Sequence, residues 1–143
     1  MALPVSGGPP VRALVVDDAR VYLDVARDLI DATPGFDWIG EASCGENAVE
    51  QVERLRPDLV LMDIRMSGIG GIEAARQIAS RAIPTTVVLI TADEPAAIVA
   101  DVPIVPKHKL NPATLRRLWR DHNARGSGIA LRERRSPAST ASN

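Results

Sequence analysis

Cysteine is almost missing from this chain. Cys44 stands alone and cannot close an internal disulfide, so no disulfide scaffold is possible, and the protein reads as cytoplasmic. Aromatic residues make up only 3%, which removes a stacking platform for single-stranded nucleic acid. No apolar run approaches the roughly 18 residues of a membrane span, so no membrane partner is expected. The first ten residues, MALPVSGGPP, have neither the basic start nor the apolar stretch of a secretion signal. No internal repeat exists, and the two histidines, His108 and His122, are too isolated to build a metal site. What remains is an ordinary soluble composition: 143 residues, 45% apolar and 24% charged. That is one domain, able to bury roughly two-thirds of its unfolded surface without a staple.

The net charge of -1 conceals an asymmetry. Residues 107–143 carry nine Lys/Arg against Asp121 and Glu133, a net of +7, which leaves -8 on residues 1–106. The basic end reads as a solvated helix face followed by a loose tail, and it suits an acidic partner.

Apolar runs rich in β-branched residues alternate with helical patterns. The strand candidates are Arg12–Val16, Asp37–Glu41, Asp58–Met62, Thr85–Ile90 and Val102–Val105. Three of them are apolar almost throughout, as strands covered on both faces are. Asp18 is placed to cap a first helix with Val21, Tyr22, Val25, Ala26 and Leu29 on its buried stripe. Gly45–Leu55 and Gly71–Ala82 carry helical spacing, and Asn111-Pro112 opens a last helix bearing Leu115, Leu118 and Trp119. This (βα)5 alternation with short connections predicts an α/β protein with a parallel five-stranded sheet between two helix layers. Residues 1–10 read as a flexible lead, 11–125 as the domain and 126–143 as a disordered basic tail.

Ligands of open parallel sheets bind outside the carboxyl ends of the strands. There the pattern places Asp17-Asp18 after the first strand, Asp63 after the third, Thr91 after the fourth and Lys107 after the fifth. Each alone has an ordinary use in a cap, a turn or a solvated surface. Together, three carboxylates at one edge repel and need a cation, and an all-oxygen acidic set selects a hard ion, Mg²⁺. A carboxylate beside Mg²⁺, with a hydroxyl and an ammonium for phosphoryl oxygens, is equipped for phosphoryl transfer onto that carboxylate.

The order of Asp17-Asp18, Asp63, Thr91-Ala92 and Lys107 resembles the receiver domain of bacterial two-component response regulators. The stretch Leu59–Gly71, LVLMDIRMSGIGG, resembles that family's phosphorylation segment, and the likeness runs from about Val11 to Ala124. The resemblance implies a flavodoxin-like doubly wound fold. It implies Asp63 as phosphoacceptor, with Asp17, Asp18, Asp63 and the backbone carbonyl of Arg65 around Mg²⁺, and with Thr91 and Lys107 on the phosphoryl oxygens. The expected donor is a sensor histidine kinase or phosphotransfer protein, the recipient an unidentified output protein. The self-catalysed chemistry is that of a switch, not of a metabolic enzyme.

The chain departs from the family pattern in several places. Ser67 stands where proline is usual, and Gly70 where Asp or Asn is common. His108 replaces the proline after the lysine, with Pro106 before it, so a trans Lys107–His108 bond is expected. Ile104 occupies the place of the switch aromatic. Asp93–Ala100 has room for roughly two helical turns, so the fourth helix of the pattern should be short, irregular or absent. No helix-turn-helix follows Asn111–Ala124, which excludes sequence-specific DNA reading by this chain. Two other readings stay open: a receiver whose DNA-binding output domain is not part of this chain, and a receiver-like interaction module that is never phosphorylated.

Overall fold

The computed structural model describes residues 8–92 and 102–124. Five strands, β1 (Val11–Val16), β2 (Phe36–Ala42), β3 (Leu59–Asp63), β4 (Thr86–Thr91) and β5 (Ile104–Pro106), form one parallel sheet in the order β2-β1-β3-β4-β5. Around it lie α1 (Arg20–Asp31), α2 (Gly45–Leu55), α3 (Gly70–Ser80) and α4 (Pro112–Ala124). This is the doubly wound arrangement predicted from the alternation. The chain leaves β1 toward β2 and returns on the other side at β3, so the strand order reverses between β1 and β3. A crevice opens at such a switch point.

The two-residue period of a strand sorts the core into two clusters. Leu14, Val16, Val60, Met62, Val87 and Leu89 face α2 and α3, packing with Val52, Ala75 and Ile78. Ala13, Val15, Leu59, Leu61, Val88 and Ile90 face the other way, toward α1 and α4, with Leu23, Ala26, Ile30 and Leu115. Because both faces are covered, β3 and β4 are buried along their whole length.

Arg12 ties β1 to the end of α2 at the far end from the crevice. Its guanidinium donates to the carbonyls of Leu55 and Arg56 at 2.9 and 2.6 Å, satisfying the free carbonyls at the end of α2. Its backbone N–H meets Asp58 Oδ2 at 2.9 Å.

Several local expectations are corrected. Asp18 does not cap α1; Ala19 is the capping residue, and its N–H is taken by Asp17 Oδ1 at 2.8 Å. The buried face of α1 is Leu23, Ala26 and Ile30, while Val21 and Val25 are 75% and 52% exposed. Leu23 and Ile30 are seven residues apart, two turns on one face, and hide more apolar area than the two valines. The fifth strand lies two residues later than its apolar run, at Ile104–Pro106, because Val102 and Pro103 are spent on the approach. At the last helix the expectation holds: Asn111 Oδ1 accepts the Thr114 N–H at 2.9 Å, with Pro112 in the first helical position. The segment Asp93–Ala100, the lead at residues 1–7 and the tail from 125 lie outside the described residues.

Candidate functional site

The crevice collects what the sequence placed there. Asp17 directly follows β1, Asp63 ends β3, Thr91 ends β4 and Lys107 directly follows β5. The register pairs Asp63 with Ile90 and Thr91 with Pro106, so each residue is set one strand from the next. Asp17, Asp63 and Thr91 are buried, whereas Asp18 is exposed.

Asp17, Asp18 and Asp63 each offer a carboxylate oxygen, and these oxygens lie within 4.8 Å of one another. The Lys107 ammonium faces two of these acids, at 2.7 Å from Asp17 Oδ2 and 3.6 Å from Asp63 Oδ2. Asp17 Oδ2 is buried, and this ammonium is the partner that compensates it among the described residues. The ammonium is shared with Asp63, so the three carboxylates together remain short of positive charge. The donor set is all oxygen and triply acidic, and one lysine cannot balance it, so these residues fit a hard divalent ion such as Mg²⁺.

Asp63 holds its proton above the ordinary carboxylate range. Burial is the main cause, and Asp17 adds to it; Lys107 and the Arg65 N–H, 3.4 Å from Asp63 Oδ1, act the other way. Asp63 is thus a carboxylate whose negative charge is poorly matched by the protein alone.

The loop after β3 fixes Asp63. Gly70 has φ of +79°, a left-handed backbone that Asn and Asp also tolerate, which accounts for its place in the family pattern. Gly71 donates its N–H to the Ile64 carbonyl at 2.9 Å, and a Cβ there would collide with the carbonyl oxygen of Asp63. Glycine at 71 lets the start of α3 close directly onto the Asp63 backbone. On the opposite side, Lys107–Lys109 form a 3₁₀ turn closed by the Leu110 N–H on the Lys107 carbonyl at 3.2 Å, and the Lys107–His108 bond is trans as expected. Ile104 packs its aliphatic chain against the α2–α3 cluster, where the family has its aromatic.

One residue escaped the sequence reading. Tyr22 was assigned to core packing, but the Lys107 ammonium lies 4.3 Å from its ring centroid. Burial first, then Asp17 and Asp63, push its phenol up to about 12, so it stays neutral beside the acids. No local spacing signals it, because the contact joins the third residue of α1 to the turn after β5.

The comparisons with known proteins agree with this geometry. The family model described as response regulator receiver domain matches residues 13–103. A protein-glutamate methylesterase/protein-glutamine glutaminase from Alkalilimnicola ehrlichii is 43% identical over 81 residues, 57% of this chain and 20% of that protein. Response regulator UvrY of Escherichia coli is 38% identical over 81 residues, 57% of this chain and 37% of that one. The chain therefore covers well under half the length of these relatives. Among solved structures, the response regulator domain of Thermotoga maritima CheB is similar with a TM-score of 0.62 at 30% identity, over 90% of this chain and 99% of that one. A LuxR-family two-component response regulator from Aurantimonas sp. has a TM-score of 0.71 at 25% identity, over 87% and 98%.

Proposed function

Because the chain belongs to the family of response regulator receiver domains, we propose that it is a phosphorylatable switch of a two-component phosphorelay, with Asp63 as the acceptor. The observation that supports this most is the Lys107 ammonium set between the Asp17 and Asp63 carboxylates at the switch-point crevice. A carboxylate oxygen of Asp63 attacks phosphorus, the P–N bond of a phosphohistidine breaks, and the leaving imidazole takes up a proton. The donor is a sensor histidine kinase or a phosphotransfer protein. The Thr91 hydroxyl donates to one phosphoryl oxygen and the Lys107 ammonium pairs with another. Asp17, Asp18, Asp63 and the Arg65 carbonyl would hold Mg²⁺, and the ion would neutralise phosphoryl and carboxylate charge there. Water later attacks the same phosphorus, releasing phosphate and restoring the carboxylate. The chemistry is self-catalysed and the protein is no metabolic enzyme. Its place is the cytoplasm; among the described residues no helix is long and apolar enough to cross a membrane.

Intact-mass measurement after incubation with acetyl phosphate and Mg²⁺ tests this reading. One phosphate-sized adduct is expected, absent in Asp63→Asn. An unmodified wild type would favour the interaction module that is never phosphorylated. The output of the switch is passed to a separate partner protein or to an attached output domain, and the basic α4 residues Arg116, Arg117 and Arg120 favour an acidic surface on either.

A further inference from the structure

Lys107 is a flexible side chain on the weakest strand. Strand β5 has three residues, all half-buried, at the edge of the sheet. A lysine ammonium on a four-carbon stem loses much rotamer freedom when held at one point, so something must hold it there. The Asp17 ion pair does so only while Asp17 is otherwise unengaged. If a metal ion takes Asp17, the nearest carboxylate to the ammonium, at 2.7 Å, is no longer its own.

A second contact does not depend on any carboxylate. The ammonium lies over the ring of Tyr22, 4.3 Å from its centroid, within the range of a cation–π contact. Tyr22 is anchored on α1 and packs against the cluster of Leu23, Ala26 and Leu115, so its position is set by the core. The lysine side chain is only 18% exposed, and a partly desolvated ammonium gains more from a ring face than an exposed one does. The phenol remains neutral, so Tyr22 contributes its ring and no charge.

We propose that Tyr22 is a positioning residue for Lys107: its ring face holds the ammonium at the crevice when Asp17 is committed elsewhere, and thereby speeds phosphoryl transfer to Asp63. This rests on the function proposed above and adds a residue to its machinery. Tyr22 touches neither phosphorus nor metal; it acts through the lysine.

Two readouts separate this inference from that function. The first is free of activity. The Lys107 ε-methylene resonances, identified by their loss in Lys107→Met, should carry an upfield ring-current shift, and should keep it in millimolar Mg²⁺. Tyr22→Phe should retain the shift, and Tyr22→Leu should lose it. The second is the rate of the Asp63 adduct with acetyl phosphate. Tyr22→Phe should stay within about twofold of wild type, and Tyr22→Leu should fall about tenfold, the factor that about 1.4 kcal/mol gives. In a Lys107→Met background Tyr22→Leu should change the rate no further. Should Tyr22→Leu fail to fold, progressively fluorinated phenylalanines at position 22 keep the shape and weaken only the face, and the rate should fall with each fluorine. A wild-type rate in Tyr22→Leu, or a rate indifferent to fluorination, overturns the inference while leaving Asp63 as the acceptor. A wild type that takes no phosphate overturns the function, and the ring-current shift still decides whether Tyr22 holds the lysine.

Discussion

The two sides of the crevice are built to different standards. On the acceptor side, β1 and β3 are central strands, β3 is buried throughout, and α3 closes onto the backbone of Asp63 at Gly71. On the lysine side, β5 is a three-residue edge strand, half-buried, followed by a single 3₁₀ turn. The acceptor's place is set by the core. The lysine's place is set by its contacts with Asp17, Asp63 and Tyr22. A switch needs one fixed and one adjustable partner, and an element with few buried contacts is the one a ligand can shift cheaply.

The sharpest way to break this contrast is Gly71→Ala. The new methyl meets a carbonyl oxygen and not the end of a flexible side chain, so the strain cannot relax without moving Asp63. Overpacking against backbone should cost about 3 kcal/mol or more and abolish the Asp63 adduct. Urea titration and intact mass check both. A near-neutral Gly71→Ala would mean that the acceptor side is as adaptable as the lysine side.

Paired truncations give the next measure. Leu61→Ala on β3 removes a fully buried side chain and should cost about 2–5 kcal/mol. Ile104→Ala on β5 removes a half-buried one and should cost roughly 1 kcal/mol. Equal costs in chemical denaturation would erase the difference between the strands.

Asp63→Asn probes the electrostatics of the fixed side. Without Mg²⁺ at neutral pH, the variant should melt about 2–8 °C higher, because it removes a charge that burial first, and Asp17 next, make unfavourable. The direction with pH follows from linkage. The Asp63 carboxyl is raised in the folded state, so the fold binds its proton more tightly than the unfolded chain does. Its contribution to stability is fully present below the ordinary aspartate range and is lost as pH rises through the raised folded value. Asparagine has no proton to lose. The advantage of the variant should therefore vanish in acid and grow across that window, as melting curves over a pH series would show. An advantage constant with pH would place its cause outside the carboxylate.

Much of this was legible in the sequence, because strands buried on both faces read as apolar runs and the site residues all sit at their ends. Asp17, Asp18, Asp63, Thr91 and Lys107 were placed by counting alone. Tyr22 was not, since its contact joins the first helix to the turn after the last strand and no local pattern records that distance. The start of α1 differs from the expected cap for a related reason: Asp17, buried directly after β1, takes the Ala19 N–H. The face of α1 differs from the expected one because seven of the ten residues 21–30 are apolar, which allows more than one stripe.

That misreading supplies the smallest expected effect. Val21 and Val25 form a pair one turn apart on α1, both exposed, beside the surface ion pairs of Arg20 with Asp24 and Glu41. Replacing either with serine removes apolar area that already faces water. A surface change of this kind stays within about ±0.5 kcal/mol, and serine and valine have nearly equal helix propensity. The rate of the Asp63 adduct should not change, since both side chains face water. Denaturation of Val21→Ser and Val25→Ser, with the adduct rate alongside, tests the rotation of α1 directly. A loss near 2 kcal/mol in either would place the valines inward, turn Leu23 and Ile30 outward, and carry Tyr22 away from the lysine it faces.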